Sequence, residues 1–223
     1  MLSNHEDVYS IFQDLGKNLP NLIQIFVIGG AAMQYYNLKD ATKDIDIVCM
    51  NQEERTKLIE SALKSGFEMT LPEQRHKNLD GLGRIAIKGP HTVDIFAGTI
   101  RGSYKLNSAM RKRALSNKLF GMLEAKYTSI EDIFIMKLIA NRKNDIEDCA
   151  KIIMNGLDFN IVYEEIKSQF QDSESIDDAC WITYIDQSLG ELDDLYHVDV
   201  PIADKISALS NKWYEWYENT KQI

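Results

Sequence analysis

The run FVIGGAAMQYYNLKDATKDIDIV, residues 26–48, constrains this chain more than any other part of it. It opens as an apolar strand, breaks at Gly29–Gly30, passes through a short helix-like segment and returns to alternation at DIDIV. Period two puts the side chains of Asp44 and Asp46 on one strand face, about 6.5–7 Å apart along the strand. Two carboxylates facing the same way repel each other unless a cation sits between them. A chain with this pattern needs a sheet with acids on one face and a positive charge to meet them.

The flanking sequence supplies the rest of such a sheet. Asp7–Lys17 reads as a helix closed by Pro20, and LIQIFVIG as the strand that leads into the glycines. NQEERTKLIESALKSG is a strongly amphipathic helix ending at Gly66, and RIAIKG with TVDIFAG forms a hairpin around Lys88–Gly89–Pro90. FGMLEAKY reads as a last strand. Thr128 with Glu131 then fits a capping box opening a helix. From there the pattern is helical throughout, in IEDIFIMKLIANR, DIEDCAKIIMNG, NIVYEEIKSQF and ADKISALSNKWYEWYEN. The expected fold class is α+β: a small mixed sheet in an α/β domain over residues 1–127, then a C-terminal helical bundle over residues 128–223. The chain shows no internal repeat and no low-complexity segment.

Composition narrows the function classes. The 223 residues are enough for one sizeable domain or two small ones. No apolar run approaches the roughly 20 residues that span a bilayer, and MLSNHEDVYS has neither the basic nor the apolar region of a secretory signal. Cys49, Cys149 and Cys180 are scattered, which suits reduced thiols and a cytoplasmic location. A net charge of −9 argues against a protein that coats nucleic acid. Its distribution is uneven. Residues 95–123 hold six bases (Arg101, Lys105, Arg111, Lys112, Arg113, Lys118) and no acid, whereas residues 168–204 hold ten acids and no Lys or Arg. That asymmetry reads either as a local site for an anionic partner or as two ordinary solvated faces.

The chemistry lies in three pieces taken together. At Gly29–Gly30 the backbone amides can approach a phosphate closely, although any tight strand-to-helix turn can use two glycines. Asp44 and Asp46 follow on the next strand, and Asp94 in TVDIF supplies a third acid on a strand expected beside it. Three carboxylates on neighbouring strands can hold two Mg²⁺ ions about 3.5–4 Å apart, the arrangement that supports nucleotidyl transfer. Thr42 and Lys43, in the approach loop, read equally well as substrate contacts or as turn polarity. Other motifs carry less. GLGRIA imitates a dinucleotide fingerprint but precedes a strand where a helix is required. His5, His76, His91 and His197 have no metal-ligand spacing, and the aromatics of KWYEWYEN suit packing better than base stacking.

The ordered set Gly29–Gly30, Asp44-Ile45-Asp46 and Asp94 resembles the nucleotidyltransferase superfamily that includes DNA polymerase beta. The 13 residues between GG and DID, and Thr42 two residues before the first Asp, are similar to the branch of AbiEii-type and MenT-like toxins. DIFIMKLIANRKNDIED resembles that branch's pattern of a Lys on one helix, followed by Arg and then Asp around the start of the next. On one continuous helix Lys137, Asn141, Asp145 and Asp148 would share a face. The likeness covers roughly residues 24–155.

The resemblance implies a Mg²⁺-dependent enzyme that moves NMP from an NTP to a hydroxyl. Asp44, Asp46 and Asp94 would be catalytic and hold two metal ions. Gly29, Gly30, Thr42, Lys43, Lys137 and Asp145 would bind the nucleotide. RNA, especially the tRNA 3′ end, would be the acceptor, held by the six bases of residues 95–123, with an antitoxin protein as partner. Protein side-chain hydroxyls and small molecules are the alternative acceptors. A non-catalytic interaction protein on the same fold is the reading from another class.

Overall fold

Strand-forming residues dominate where the chain is most apolar, and they set the centre of the sheet. The computed structural model describes residues 5–71 and 82–221; His76 and Gly81 lie outside them. The elements begin with α1 (His5–Gly16), β1 (Ile23–Ile28), α2 (Gly29–Tyr35), β2 (Asp44–Cys49) and α3 (Gln52–Lys64). Next come β3 (Glu68–Thr70), β4 (Leu82–Lys88), β5 (His91–Ala97), β6 (Thr99–Arg101), β7 (Tyr104–Lys105), α4 (Ser108–Arg113), β8 (Leu115–Phe120) and β9 (Leu123–Tyr127). The helices α5 (Ile130–Ala140), α6 (Lys143–Met154), α7 (Phe159–Gln171), α8 (Trp181–Tyr196) and α9 (Ala203–Lys221) follow. The result is a mixed α+β fold. It forms two compact units: one from the chain up to Ile100 with Leu106–Ser129, the other from Arg101–Lys105 with the chain from Ile130 on.

In the first unit the strand order is β3-β4-β5-β2-β1-β9-β8, with β6 off β5. The pair β1–β2 is antiparallel, while β2–β5 and β1–β9 are parallel, so the sheet is mixed. Ile25, Phe26 and Val27 on β1 and Ile45, Ile47 and Val48 on β2 are fully buried. Each such side chain contributes about 1.5–3 kcal/mol. Asn51 caps α3 by accepting from the Glu54 amide at 2.9 Å, and Glu53 and Glu54 suit the positive end of its dipole. Beyond α3 the chain turns at Gly66, where φ is +84°.

In the second unit α5 is buried on every side from Asp132 to Ala140, which makes it the core helix of this unit. It packs against α6, α7 and α8. Ser188 ties α8 to it by donating to the Leu138 carbonyl at 2.8 Å. On α9 Trp213 is buried and stacks on Tyr217 with ring centroids 5.1 Å apart, whereas Tyr214 is exposed.

One local expectation gives way. The Thr128 hydroxyl does not cap a helix; it donates to the Val27 carbonyl at 3.1 Å, and α5 starts only at Ile130. The separate patterns IEDIFIMKLIANR and DIEDCAKIIMNG are two helices as expected, with Asn141 at φ +47° breaking the run before α6. Asn tolerates this left-handed conformation better than most residues do. The basic stretch is not one continuous element. It holds the six-residue α4, capped by Asn107 accepting from the Met110 amide at 3.0 Å, and then the edge strand β8.

Candidate active site

The sheet brings the expected acids onto neighbouring strands. Asp46 on β2 lies in register with Asp94 on the parallel strand β5, and with Ile28 at the end of β1. Asp44 is two residues earlier on the same face of β2, in register with Thr92. Ile45 and Ile47 point the other way and are fully buried, so the core side of the strand fixes where the aspartates face. Asp44 and Asp46 are half-buried, whereas Asp94 is only 6% exposed.

The two glycines answer to particular neighbours. Gly29 has φ +62°, which an L side chain rarely adopts, and an ideal Cβ there would overlap Oδ2 of Asp46. At Gly30 a Cβ would stand 2.5 Å from Oγ1 of Thr42. Thr42 is buried and donates its hydroxyl to the Asp44 carbonyl at 3.0 Å. It therefore braces the glycine turn against the start of β2, a position the sequence left open between substrate contact and turn polarity. Lys43 is exposed beside it. Helix α2 is buried from Gly30 to Gln34, and Gln34 donates to the Asp40 carbonyl at 3.0 Å, holding the loop that returns to β2.

Carboxylate oxygens are the hard donors that Mg²⁺ prefers. Gly29 leaves room for one of them against the strand end. Among the described residues, however, no three His, Cys, Asp or Glu side chains converge as a ready ligand group. The chemistry of the donors and the register of their strands suit a divalent metal; among the described residues a cage formed by side chains alone is not present. Magnesium sites that use few carboxylates and complete their shell with substrate phosphates have this character.

In the second unit Lys137, Asp145 and Asp148 meet across the helix break. The Lys137 ammonium lies 2.9 Å from Oδ1 of Asp145 and 2.7 Å from Oδ2 of Asp148, with all three side chains at most 6% exposed. Arg142 donates through Nε to Asp145 at 2.5 Å. Burial works against the charged form of Lys137, but the two carboxylates more than offset it and raise its pKa above the ordinary value. Burial alone would raise Asp145. Lys137 and Arg142 outweigh it and hold this carboxyl below the usual range. Sequence reading placed Lys137 and Asp145 in the site but gave no role to Asp148 or Arg142; the i, i+3 spacing within DIED was the available signal.

The expected RNA-contacting bases diverge. Arg101 is 7% exposed, donates to the Ile139 carbonyl at 3.3 Å and lies 3.4 Å from the Tyr184 ring centroid, so it is engaged within the second unit. Lys105, Lys112 and Lys118 are exposed, and Arg111 and Arg113 half-buried.

No family model matches the chain, and no curated protein matches it significantly. Solved structures do resemble it. The fold is that of the nucleotidyltransferases. The crystal structure of ANT(2")-Ia in complex with adenylyl-2"-tobramycin matches with a TM-score of 0.51 and 13% identity, over 74% of this chain and 95% of that one. The solution structure of the antibiotic-resistance factor ANT(2")-Ia gives a TM-score of 0.46 at 13% identity, over 74% of this chain and 89% of that one. A protein from H. pylori described as a nucleotidyltransferase gives 0.42 at 14% identity, over 98% and 99% of the two chains. Among the described residues no helix is long and apolar enough to cross a membrane.

Proposed function

We propose that this chain is a metal-dependent nucleotidyltransferase that moves NMP from an NTP to a hydroxyl of RNA, the tRNA 3′ end in particular, as in toxin–antitoxin systems. The observation that carries the reading is Asp46 in register with Asp94 on parallel strands, with Asp44 on the same face of β2 and Gly29 packed against Asp46. The fold likeness to nucleotidyltransferases supports it.

Two Mg²⁺ ions, held by Asp44, Asp46 and Asp94, would supply Lewis acidity that neutralises charge on the transferring phosphate. Asp94 accepts the proton of the acceptor hydroxyl, whose oxygen forms the new bond to the α-phosphorus as pyrophosphate leaves. The side-chain-free turn at Gly29–Gly30 lets the triphosphate approach the backbone, and Thr42 holds that turn in place. Lys43 is an exposed cation beside it. Lys137 and Asp145 belong to the nucleotide-binding set by resemblance, and their ion pair makes the contribution of each depend on the other. Lys105, Arg111, Lys112, Arg113 and Lys118 would meet the RNA phosphates, with Arg101 set aside. An antitoxin partner follows from the toxin branch.

A second reading, transfer to a small-molecule hydroxyl, is favoured by the fold neighbour whose complex holds adenylyl-2"-tobramycin. One experiment separates the two. The purified chain is incubated with each α-³²P-labelled NTP and Mg²⁺ or Mn²⁺, together with total RNA, cell lysate or aminoglycosides, alongside Asp44→Ala/Asp46→Ala. Label entering RNA and absent with the variant supports the first reading, and label on the small molecule supports the second. No label on any acceptor overturns both.

A further inference from the structure

On the core side of the same sheet, away from the aspartates, two arginines share a cavity. Arg84 on β4 is in register with Ile95, whereas its neighbour Ile85 is in register with Asp94. Paired residues face the same way, so Arg84 stands on the face opposite Asp94. The cavity has a volume of 370 Å³ and is lined by Gln52, Arg55, Thr56, Ile59, Glu60, Gly83 and Arg84, with α3 as one wall and β4 as the other. That is room for about twelve waters at roughly 30 Å³ each.

The site is built into the backbone. Strand β4 carries a register shift between Leu82 and Arg84, which places Gly83 at a bulge. An ideal Cβ on Gly83 would overlap the Arg55 guanidinium, so the absence of a side chain there lets Arg55 lie against the strand. Arg55 Nε is buried without a hydrogen-bond partner, and among the described residues neither guanidinium has an ion-pair partner. Glu60 is the one acid in the lining against two guanidinium groups. Burial, with Arg84 adding to it, holds Arg55 below its ordinary pKa, a cost that an anion would relieve.

We infer that this cavity is a second binding site, for a small phosphate-bearing anion whose oxyanion lies between Arg55 and Arg84. A guanidinium presents paired donors that match phosphate oxygens, and two of them line this cavity with, among the described residues, no carboxylate bound to either. The remaining volume, lined also by Ile59, Gln52 and Thr56, accommodates the body of a phosphomonoester.

The test is titration of the full chain in the Asp44→Ala/Asp46→Ala background with EDTA present, which keeps the aspartate site from competing. The probes are inorganic phosphate, AMP and succinate, followed by calorimetry and by the arginine Nε–Hε signals of Arg55 and Arg84. The expected result is saturable binding of phosphate or AMP that shifts both signals, weakened at least tenfold by Arg84→Gln. Tighter binding of AMP identifies a phosphomonoester, and equal affinity identifies free phosphate. Arg84 is half-exposed, so Arg84→Gln is expected to fold, as circular dichroism would verify. Three outcomes would overturn the inference: no saturation, succinate binding as tightly as phosphate, or Arg84→Gln binding like the parent.

Discussion

The carboxylate of Asp46 occupies the space in which a side chain on Gly29 would have to stand. The glycine sits at φ +62°, so replacing it brings both backbone strain and a collision with the central acid. Gly29→Ala is expected to cost on the order of 1–3 kcal/mol and to displace Asp46 from its register position. Urea denaturation reads the first effect. Label transfer reads the second, with a fall of more than about tenfold, since 1.4 kcal/mol is already tenfold. Gly66→Ala is the control: Gly66 has φ +84° with nothing within 4 Å of an ideal Cβ, so stability falls while transfer stays at the parent level.

Asp94 differs from its register partner in being nearly buried. If it takes the acceptor's proton, Asp94→Asn removes the base and leaves a similar shape. Transfer should then fall about 10²–10⁴-fold, the usual contribution of a positioned base. Asp46→Asn should also abolish transfer. Both variants should unfold no earlier than the parent, because each removes one of three carboxylates on the same sheet face. A transfer rate within a few-fold of the parent for Asp94→Asn would remove it from the mechanism.

The sheet centre and the three acids were legible because period two is a strong signal and both strands are apolar on their core side. The glycine turn was legible for the same reason, since it interrupts an apolar run that cannot otherwise stop. What Thr42 does was not legible, because packing against Gly30 depends on a loop closing over 11 intervening residues. The break between IEDIFIMKLIANR and DIEDCAKIIMNG was legible, but its placement at Asn141 was not, because a single left-handed residue leaves no periodic trace. Arg101 read as a surface base, yet its partners Ile139 and Tyr184 lie far along the chain. The cavity of Arg55 and Arg84 depends on a bulge that residue types alone do not place.

Lys137 holds two buried carboxylates, so its removal strands both. Lys137→Met should destabilise by about 3–5 kcal/mol, the usual cost of uncompensated buried charge. The triple variant Lys137→Met/Asp145→Asn/Asp148→Asn removes the stranded charge and should recover most of that loss. Thermal unfolding of the two proteins decides the point. Should the triple variant be no more stable than the single one, the ammonium contributes by something other than pairing with these acids.

Cys49 and Cys149 are fully buried, whereas Cys180 is partly exposed. Burial, with Glu54 adding to it, pushes the Cys49 thiol up to about 12, and burial raises Cys149 as well. Thiolate is the reactive form, so at neutral pH the native chain should react with Ellman's reagent at Cys180 alone. The other two thiols should appear only in denaturant. Rapid release of all three in native buffer would contradict the packing of β2 and α6.

The same buried network sets a pH dependence with a definite sign. Burial opposes ionisation of Asp145, but Lys137 and Arg142 prevail and hold its pKa below the ordinary value. A carboxyl whose folded pKa is depressed contributes stability that is fully present above its unfolded pKa, about 3.9. That contribution is lost as the pH falls from there through the folded value. Lys137, with its pKa raised, behaves in the opposite way: its contribution is present below about 10.4, the unfolded value, and is lost as the pH rises through the folded one. Denaturant titrations should therefore show stability falling below about pH 4 and again in strong alkali. Asp145→Asn should flatten the acid limb, since the group that takes up the proton is gone. An acid limb of unchanged slope with Asp145→Asn would assign the titration to other carboxylates.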